Sequence, residues 1–297
     1  MNLPGFIDLH THGIGRYDTR TGKADHIVKM AGLHGASGTQ AILLSIYPGK
    51  IDEMRTTMEA VRRAMEIQKT LSRLPSLVPP LPAVILGVHL EGPFLNPSRC
   101  GALNKKSFAL PSVALLKKLI AGYEDIVKII TIAPEMPRSL SVIEKCADMG
   151  IRVNMGHSDA TFKKALEGKK AGASGITHIF NAMRPFHHRE PGLAGLGLID
   201  EDLYIEVIAD GVHIHPRVLE LIFSKKRLDR IMLVSDSVKN RGKKGKPVYE
   251  SKGVLAGSGI TISDSADILR EMGIPDAEIV EAAIDNPARY VGYSLPV

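Results

Sequence analysis

The chain has 297 residues, 44% of them apolar, enough to bury a substantial core and too apolar for a disordered or fibrous protein. It carries 38 lysines and arginines against 32 aspartates and glutamates, a formal net charge of +6. That excess is scattered, only 5% of residues are aromatic and tryptophan is absent, so a small anionic substrate fits better than nucleic acid. The two cysteines, Cys100 and Cys146, are too few for a disulfide framework and are not a CxxC pair, which points to the reducing cytoplasm. No charged and apolar leader opens the chain and no run of about 18 apolar residues follows, so secretion and membrane insertion are disfavoured.

Eight short aliphatic or β-branched runs recur at residues 6–10, 41–45, 84–90, 127–132, 151–155, 175–179, 204–209 and 230–235, with room for a helix between most of them. Their near-continuous apolar character is that of strands buried on both faces. Helices are expected over 52–71, where Met54, Met58, Val61, Met65 and Ile67 form a core-facing stripe, after the Pro111-Ser112 start signal, and over 139–149. The proline-rich stretch 74–82 reads as a loop and the basic run 241–246 as a solvated one. Eight β/α units in about 250 residues predict a (β/α)8 TIM barrel, here a single domain over 1–297, with its chemistry at the C-terminal ends of the strands.

Ionisable residues do cluster there. His10 and His12 end the first run, His89 and Glu91 the third, and His157, Ser158 and Asp159 the fifth. His178 and Asn181 follow the sixth, Asp210 and His213 the seventh, and Asp236 the eighth. Alternation along a strand lets His10 and His12 point at one centre. Imidazoles and carboxylates without a sulfur donor suit zinc or another divalent transition ion that keeps a position open for water. Such an ion lowers the pKa of water from about 15.7 towards about 7 and polarises a carbonyl oxygen, so the implied chemistry is hydrolysis. Asp236 is placed to take the water proton and deliver it to a leaving nitrogen. A solitary histidine reads as a structural residue, and His26 and His34 are read that way. It is the joint placement of His10, His12, Glu91, His157, His178 and Asp236 that points to a metal centre.

These residues resemble the amidohydrolase superfamily and, more closely, its N-acetylglucosamine-6-phosphate deacetylases. The resemblance runs through Pro4-Gly5-Phe6-Ile7-Asp8-Leu9-His10, His89-Leu90-Glu91-Gly92-Pro93-Phe94, Thr177-His178-Ile179-Phe180-Asn181-Ala182-Met183, His187-His188-Arg189-Glu190-Pro191-Gly192, Ile208-Ala209-Asp210-Gly211-Val212-His213 and Leu255-Ala256-Gly257-Ser258. It implies a metal-dependent deacetylase that converts N-acetylglucosamine 6-phosphate to glucosamine 6-phosphate and acetate. Glu91, His157 and His178 would hold the principal ion, His10 and His12 a second one beside it, and Asp236 would act as general base and then acid. Asn181, the Ala182 backbone and His213 would contact the sugar. Arg189 would face the 6-phosphate, a role suited to a planar guanidinium fork, and His188 on the same loop is taken as a further substrate contact. The competing reading of Arg189 is a surface ion pair with Glu190, and of His187 and His188 loop packing. The resemblance also implies a homodimer.

Two departures stand out. The family's small β-sandwich, built from both chain ends, is not expected here. Leu103 occupies the position of a histidine that helps polarise the acetyl carbonyl, and leucine cannot donate a hydrogen bond. Losing such a donor typically lowers the rate about 100- to 1000-fold unless another group compensates. The alternatives are therefore hydrolysis of another N-acyl sugar phosphate, such as N-acetylgalactosamine 6-phosphate, or of a cyclic amide, and a catalytically silent sugar-phosphate binder.

Overall fold

The apolar runs pair side by side in chain order. In the computed structural model, which describes residues 5–71, 81–239 and 253–295, they form one parallel eight-stranded sheet. Its strands are β1 (Phe6–Thr11), β2 (Thr39–Ile46), β3 (Val84–Glu91), β4 (Val127–Ile132), β5 (Arg152–Met155), β6 (Gly175–Ile176), β7 (Tyr204–Val207) and β8 (Ile231–Leu233). The sheet closes through the chain just beyond β8: the Asp236 amide donates to the His10 carbonyl at 2.8 Å, and the His12 amide to the Ser237 carbonyl at 2.8 Å. This is a (β/α)8 TIM barrel whose closing hydrogen bonds are made by residues of its C-terminal rim.

Between the strands run α1 (Ala24–Ala36), α2 (Ile51–Leu71), α3 (Val113–Ile120), α4 (Ser139–Asp148), α5 (Phe162–Lys170), α6 (Gly192–Ile199) and α7 (Pro216–Lys225), followed by α8 (Ile262–Glu271). Local chemistry sets their starts. Ser112 and Thr161 accept backbone N–H groups at the heads of α3 and α5, and Thr261 with Asp264 forms a reciprocal capping box on α8. In α2 the methionine stripe is buried at Met54, Met58 and Val61. Ile67 departs from the expected stripe: it is 39% exposed, because it lies about 200° around the helix from Met65. The larger core cluster joins these helices to the sheet, while Ala41, Leu43, Ile129, Met232 and Val234 form a second one with Ala288 and Tyr290. The C-terminal helical segment bearing Tyr290 sits beneath the strand starts, with the Asn286 side chain donating to the Leu228 and Ile231 carbonyls. Both cysteines are free. No helix among the described residues is long and apolar enough to cross a membrane.

Several strands are shorter than their apolar runs. The sixth run, expected over 175–179, is a strand only at Gly175–Ile176, because His178, Phe180 and Ala182 all adopt positive φ and turn the chain out of the ladder. The basic run 241–246 lies outside the described residues, as does most of the proline-rich loop 74–82.

His34, on α1, is fully buried, with Nε2 3.1 Å from Thr11 Oγ1, and burial pushes its pKa down from 6.5 to about 4. Below pH 6.5 the unfolded chain binds a proton that the folded chain refuses, so this residue's stability contribution is intact above 6.5 and is lost as pH falls through about 4. Urea unfolding between pH 7 and pH 4 should show His34→Leu losing less stability than the wild type, by on the order of 3 kcal/mol. Equal slopes would remove His34 from the acid limb.

Candidate metal and active site

The rim residues converge on one buried cluster. His10, His12, Glu91, His157 and His178 are each no more than 4% exposed. Glu91 Oε1 lies 3.1 Å from His157 Nε2 and 3.2 Å from His178 Nε2, and its Oε2 lies 3.3 Å from His12 Nε2. His10 Nε2 faces His12 Nε2 at 3.3 Å, and Asp236 Oδ1 lies 3.6 and 3.7 Å from those two nitrogens. Two triads, His10/His12/Asp236 and Glu91/His157/His178, thus stand side by side, each with ligand atoms close enough to share an ion.

Backbone shape puts them there. His157, His178 and Asp236 have φ of 45°, 26° and 46°, the left-handed region that non-glycine residues avoid, and each turns its side chain inward just past a strand. Asp236 is braced by the Ser258 amide, which donates to its carbonyl at 2.8 Å, and Gly257 makes that approach feasible: its φ is +88° and a Cβ would sit 2.7 Å from the Asp236 carbonyl oxygen.

The donor set fits a cation. The Nδ1 of His157 lies 2.9 Å from the Arg99 carbonyl, which accepts its proton and leaves Nε2 as a lone pair aimed at the Glu91 carboxylate. His10 Nδ1 lies 3.0 Å from Glu206 Oε2, so its Nε2 lone pair likewise points into the cluster. Lone pairs and carboxylate oxygens facing one another repel unless positive charge lies among them. The titration behaviour agrees. Burial alone would raise Glu91, yet hydrogen bonds from His12, His157 and His178 hold it well below the usual carboxylate range. Burial alone would lower His178, yet Glu91 lifts it to about 9. His10, mainly through burial, falls to about 4 and stays a neutral ligand.

Beneath the rim lie residues that sequence reading passed over. Glu206 is fully buried in the apolar seventh run; besides His10 it receives Asn154 Nδ2 on Oε1 at 2.7 Å and the His178 amide on Oε2 at 3.3 Å. A lone carboxylate inside a buried strand was the available signal. His89 belongs to this layer rather than to the ligands, with Nδ1 3.2 Å from the Leu9 carbonyl and Nε2 2.8 Å from Thr131 Oγ1.

Above the cluster a cavity of about 630 Å³ is lined by His12, Glu91, His157, His178 and Asp236, and also by Asn181, Ala182 and His213. His213 is held by Asp210, whose Oδ2 lies 2.7 Å from its Nδ1. Asp18, Arg20, Tyr47 and Leu103 complete another part of the wall, and of these only Leu103 drew attention in the sequence. His188 and Arg189 do not line this cavity. They are exposed on the loop before α6, with Arg189 Nη1 3.0 Å from His188 Nε2. The Glu190 ion pair is not formed, since Glu190 Oε1 caps the Phe162 and Gly192 amides.

No family model matches the chain. The N-acetylglucosamine-6-phosphate deacetylase of Bacillus subtilis (strain 168) is 33% identical over 305 residues, spanning 98% of this chain and 75% of that protein. The N-acetylgalactosamine-6-phosphate deacetylase of Escherichia coli O157:H7 is 30% identical over 304 residues, spanning 97% and 78%. Among solved structures, a mutant N-acetyl-D-glucosamine-6-phosphate deacetylase from Mycobacterium smegmatis in complex with N-acetyl-D-glucosamine 6-phosphate superposes with a TM-score of 0.86 at 28% identity, covering 98% of this chain and 77% of that one.

A cation among these lone pairs should stabilise the fold. Chelator-treated protein is expected to melt lower and to recover on adding zinc or another divalent ion, by about 2.7 kcal/mol at 100 times the dissociation constant. His157→Ala should lose that recovery. Identical melting of chelated and metal-supplied wild-type protein would contradict the cation reading.

Proposed function

The chain belongs to the N-acetylglucosamine-6-phosphate deacetylases of the amidohydrolase superfamily, and from that premise we propose that it hydrolyses the N-acetyl group of N-acetylglucosamine 6-phosphate, releasing acetate and glucosamine 6-phosphate. The observation that carries this reading is the position of Asp236, the one carboxylate that touches the His10/His12 pair and is still 13% exposed to the cavity above.

Glu91, His157 and His178 would hold one divalent ion, with His10 and His12 able to hold a second and Asp236 sharing it; zinc is the expected metal. When bound, the ion lowers the pKa of a water molecule and polarises the amide carbonyl. Asp236 Oδ1 takes the proton of the attacking water and delivers it to the amide nitrogen as the C–N bond breaks, so one carboxylate serves first as base and then as acid. Asn181, the Ala182 backbone and His213 hold the hexosamine over the cluster, His213 being fixed in orientation by Asp210. Leu103 lines the cavity without a donor, so carbonyl polarisation falls to the ion.

The phosphate contact is assigned to Arg189 with His188. Both lie outside the cavity of their own chain, on a loop whose Phe186 is 54% exposed, so in this reading they reach the substrate across a homodimer contact. The compartment is the cytoplasm, in keeping with two free cysteines, and neither nucleic acid nor membrane is a partner.

Acetate release from N-acetylglucosamine 6-phosphate tests the reading, with N-acetylgalactosamine 6-phosphate as the comparison suggested by the Escherichia coli relative. Asp236→Asn should slow turnover by about 10³-fold with its metal content largely retained; an undiminished rate would take Asp236 out of the mechanism. Arg189→Ala should raise KM by about tenfold or more with a smaller effect on kcat, since it removes a charge-assisted contact remote from the bond broken.

A further inference from the structure

The cavity over the metal cluster is not the only one at this rim. A second, of about 570 Å³, lies beside it, lined by Thr19, Thr21, Thr57, Asn104 and Ser107 among others. The two cavities share three residues, Arg20, Tyr47 and Leu103. Tyr47 stacks on the His12 ring at 3.8 Å with 19° between the planes, and the Arg20 guanidinium stacks on Tyr47 at 3.7 Å. Arg20 is therefore pinned at a set distance from a candidate metal ligand, within the span of a three- or four-carbon chain. Among the described residues it forms no ion pair, its printed contacts being this stack and a backbone turn onto Asp18. A guanidinium fixed in a cavity wall without a counter-charge is a receptor for a carboxylate or phosphate.

The strand order decides which end of the substrate it meets. Asn181 and Ala182 follow β6, whereas Tyr47 follows β2, four positions away in a ring of eight. With the sugar on the β6 side, the acyl end of the amide points at the shared wall. Leu103 stands in that wall without a polar atom to anchor a short acyl group or close the passage. An acetyl group would leave the second cavity unused and Arg20 uncompensated.

We propose that Arg20, Tyr47 and Leu103 form an acyl-group subsite that admits an N-acyl chain longer than acetyl and ending in a carboxylate, such as succinyl, with the carboxylate paired to Arg20. This rests on the amide-hydrolase reading above and changes only the acyl group. Water remains the sole co-reactant: its oxygen forms the new C–O bond, the C–N bond breaks, a proton passes to the nitrogen, and a dicarboxylic acid leaves in place of acetate.

The experiment measures kcat/KM of the metal-loaded full chain on N-acetyl-, N-propionyl- and N-succinylglucosamine 6-phosphate. The N-succinyl compound is expected to lead N-acetyl by about tenfold or more, with N-propionyl showing no such gain. Arg20→Ala should shrink the succinyl-to-acetyl ratio by about tenfold, and Arg20→Lys by less. A wild-type preference for acetyl overturns the subsite. So does an Arg20→Ala loss equal on all three compounds, which would place the guanidinium on the shared sugar phosphate. If no acid is released from any of the three, the hydrolase reading itself fails, and the subsite is judged by binding. A larger thermal shift with the N-succinyl compound in wild type than in Arg20→Ala then supports it, and equal shifts refute it.

Discussion

The Glu91 carboxylate, buried at the mouth of the barrel and faced by three imidazole nitrogens, sets the terms for everything around it. A buried carboxylate is tolerated only where positive charge or several donors meet it. Here the nearest partners are rings whose outer nitrogens are committed to a carbonyl or a second carboxylate, so that their inner nitrogens offer lone pairs. The arrangement is balanced by a cation. Left without one, it draws protons instead, which is what the raised His178 and His12 express.

That requirement explains otherwise awkward features of the backbone. His157, His178 and Asp236 hold left-handed conformations because an extended continuation of each strand would carry their side chains past the cluster. β6 contracts to two residues, since the turn that aims His178 inward also ends the ladder. The hydrogen bonds that close the barrel between His10, His12, Asp236 and Ser237 tie the two ends of the sheet together at the place where the ligands must be held still. Closure of the fold and assembly of the site are one event.

Below and above the cluster the chain divides its work. Glu206, Asn154 and His89 form a dry polar layer that orients the ligand rings. The loops above supply the cavity, and its two sides differ in character. The β6 and β7 side is polar and built around Asn181 and His213, while the β1 to β3 side carries an aromatic stack, an uncompensated arginine and a leucine. A hexosamine and its acyl group ask for different surroundings, and the two sides provide them.

The sequence by itself determined the barrel, because eight apolar runs spaced by helical segments leave a parallel sheet few other closures, and it singled out His10, His12, Glu91, His157, His178 and Asp236, because ionisable residues at the ends of buried strands have little structural reason to be there. Strand lengths were less legible: apolar character continues past the point where the backbone turns, as after Ile176. Tertiary structure alone decided that Arg189 and His188 lie outside the cavity of their own chain, that Glu206 backs His10, and that Arg20, Tyr47 and Leu103 meet across two cavities. Those relations join residues far apart in the chain, and periodicity reports only which face of its own element a side chain occupies, not what comes to lie opposite it.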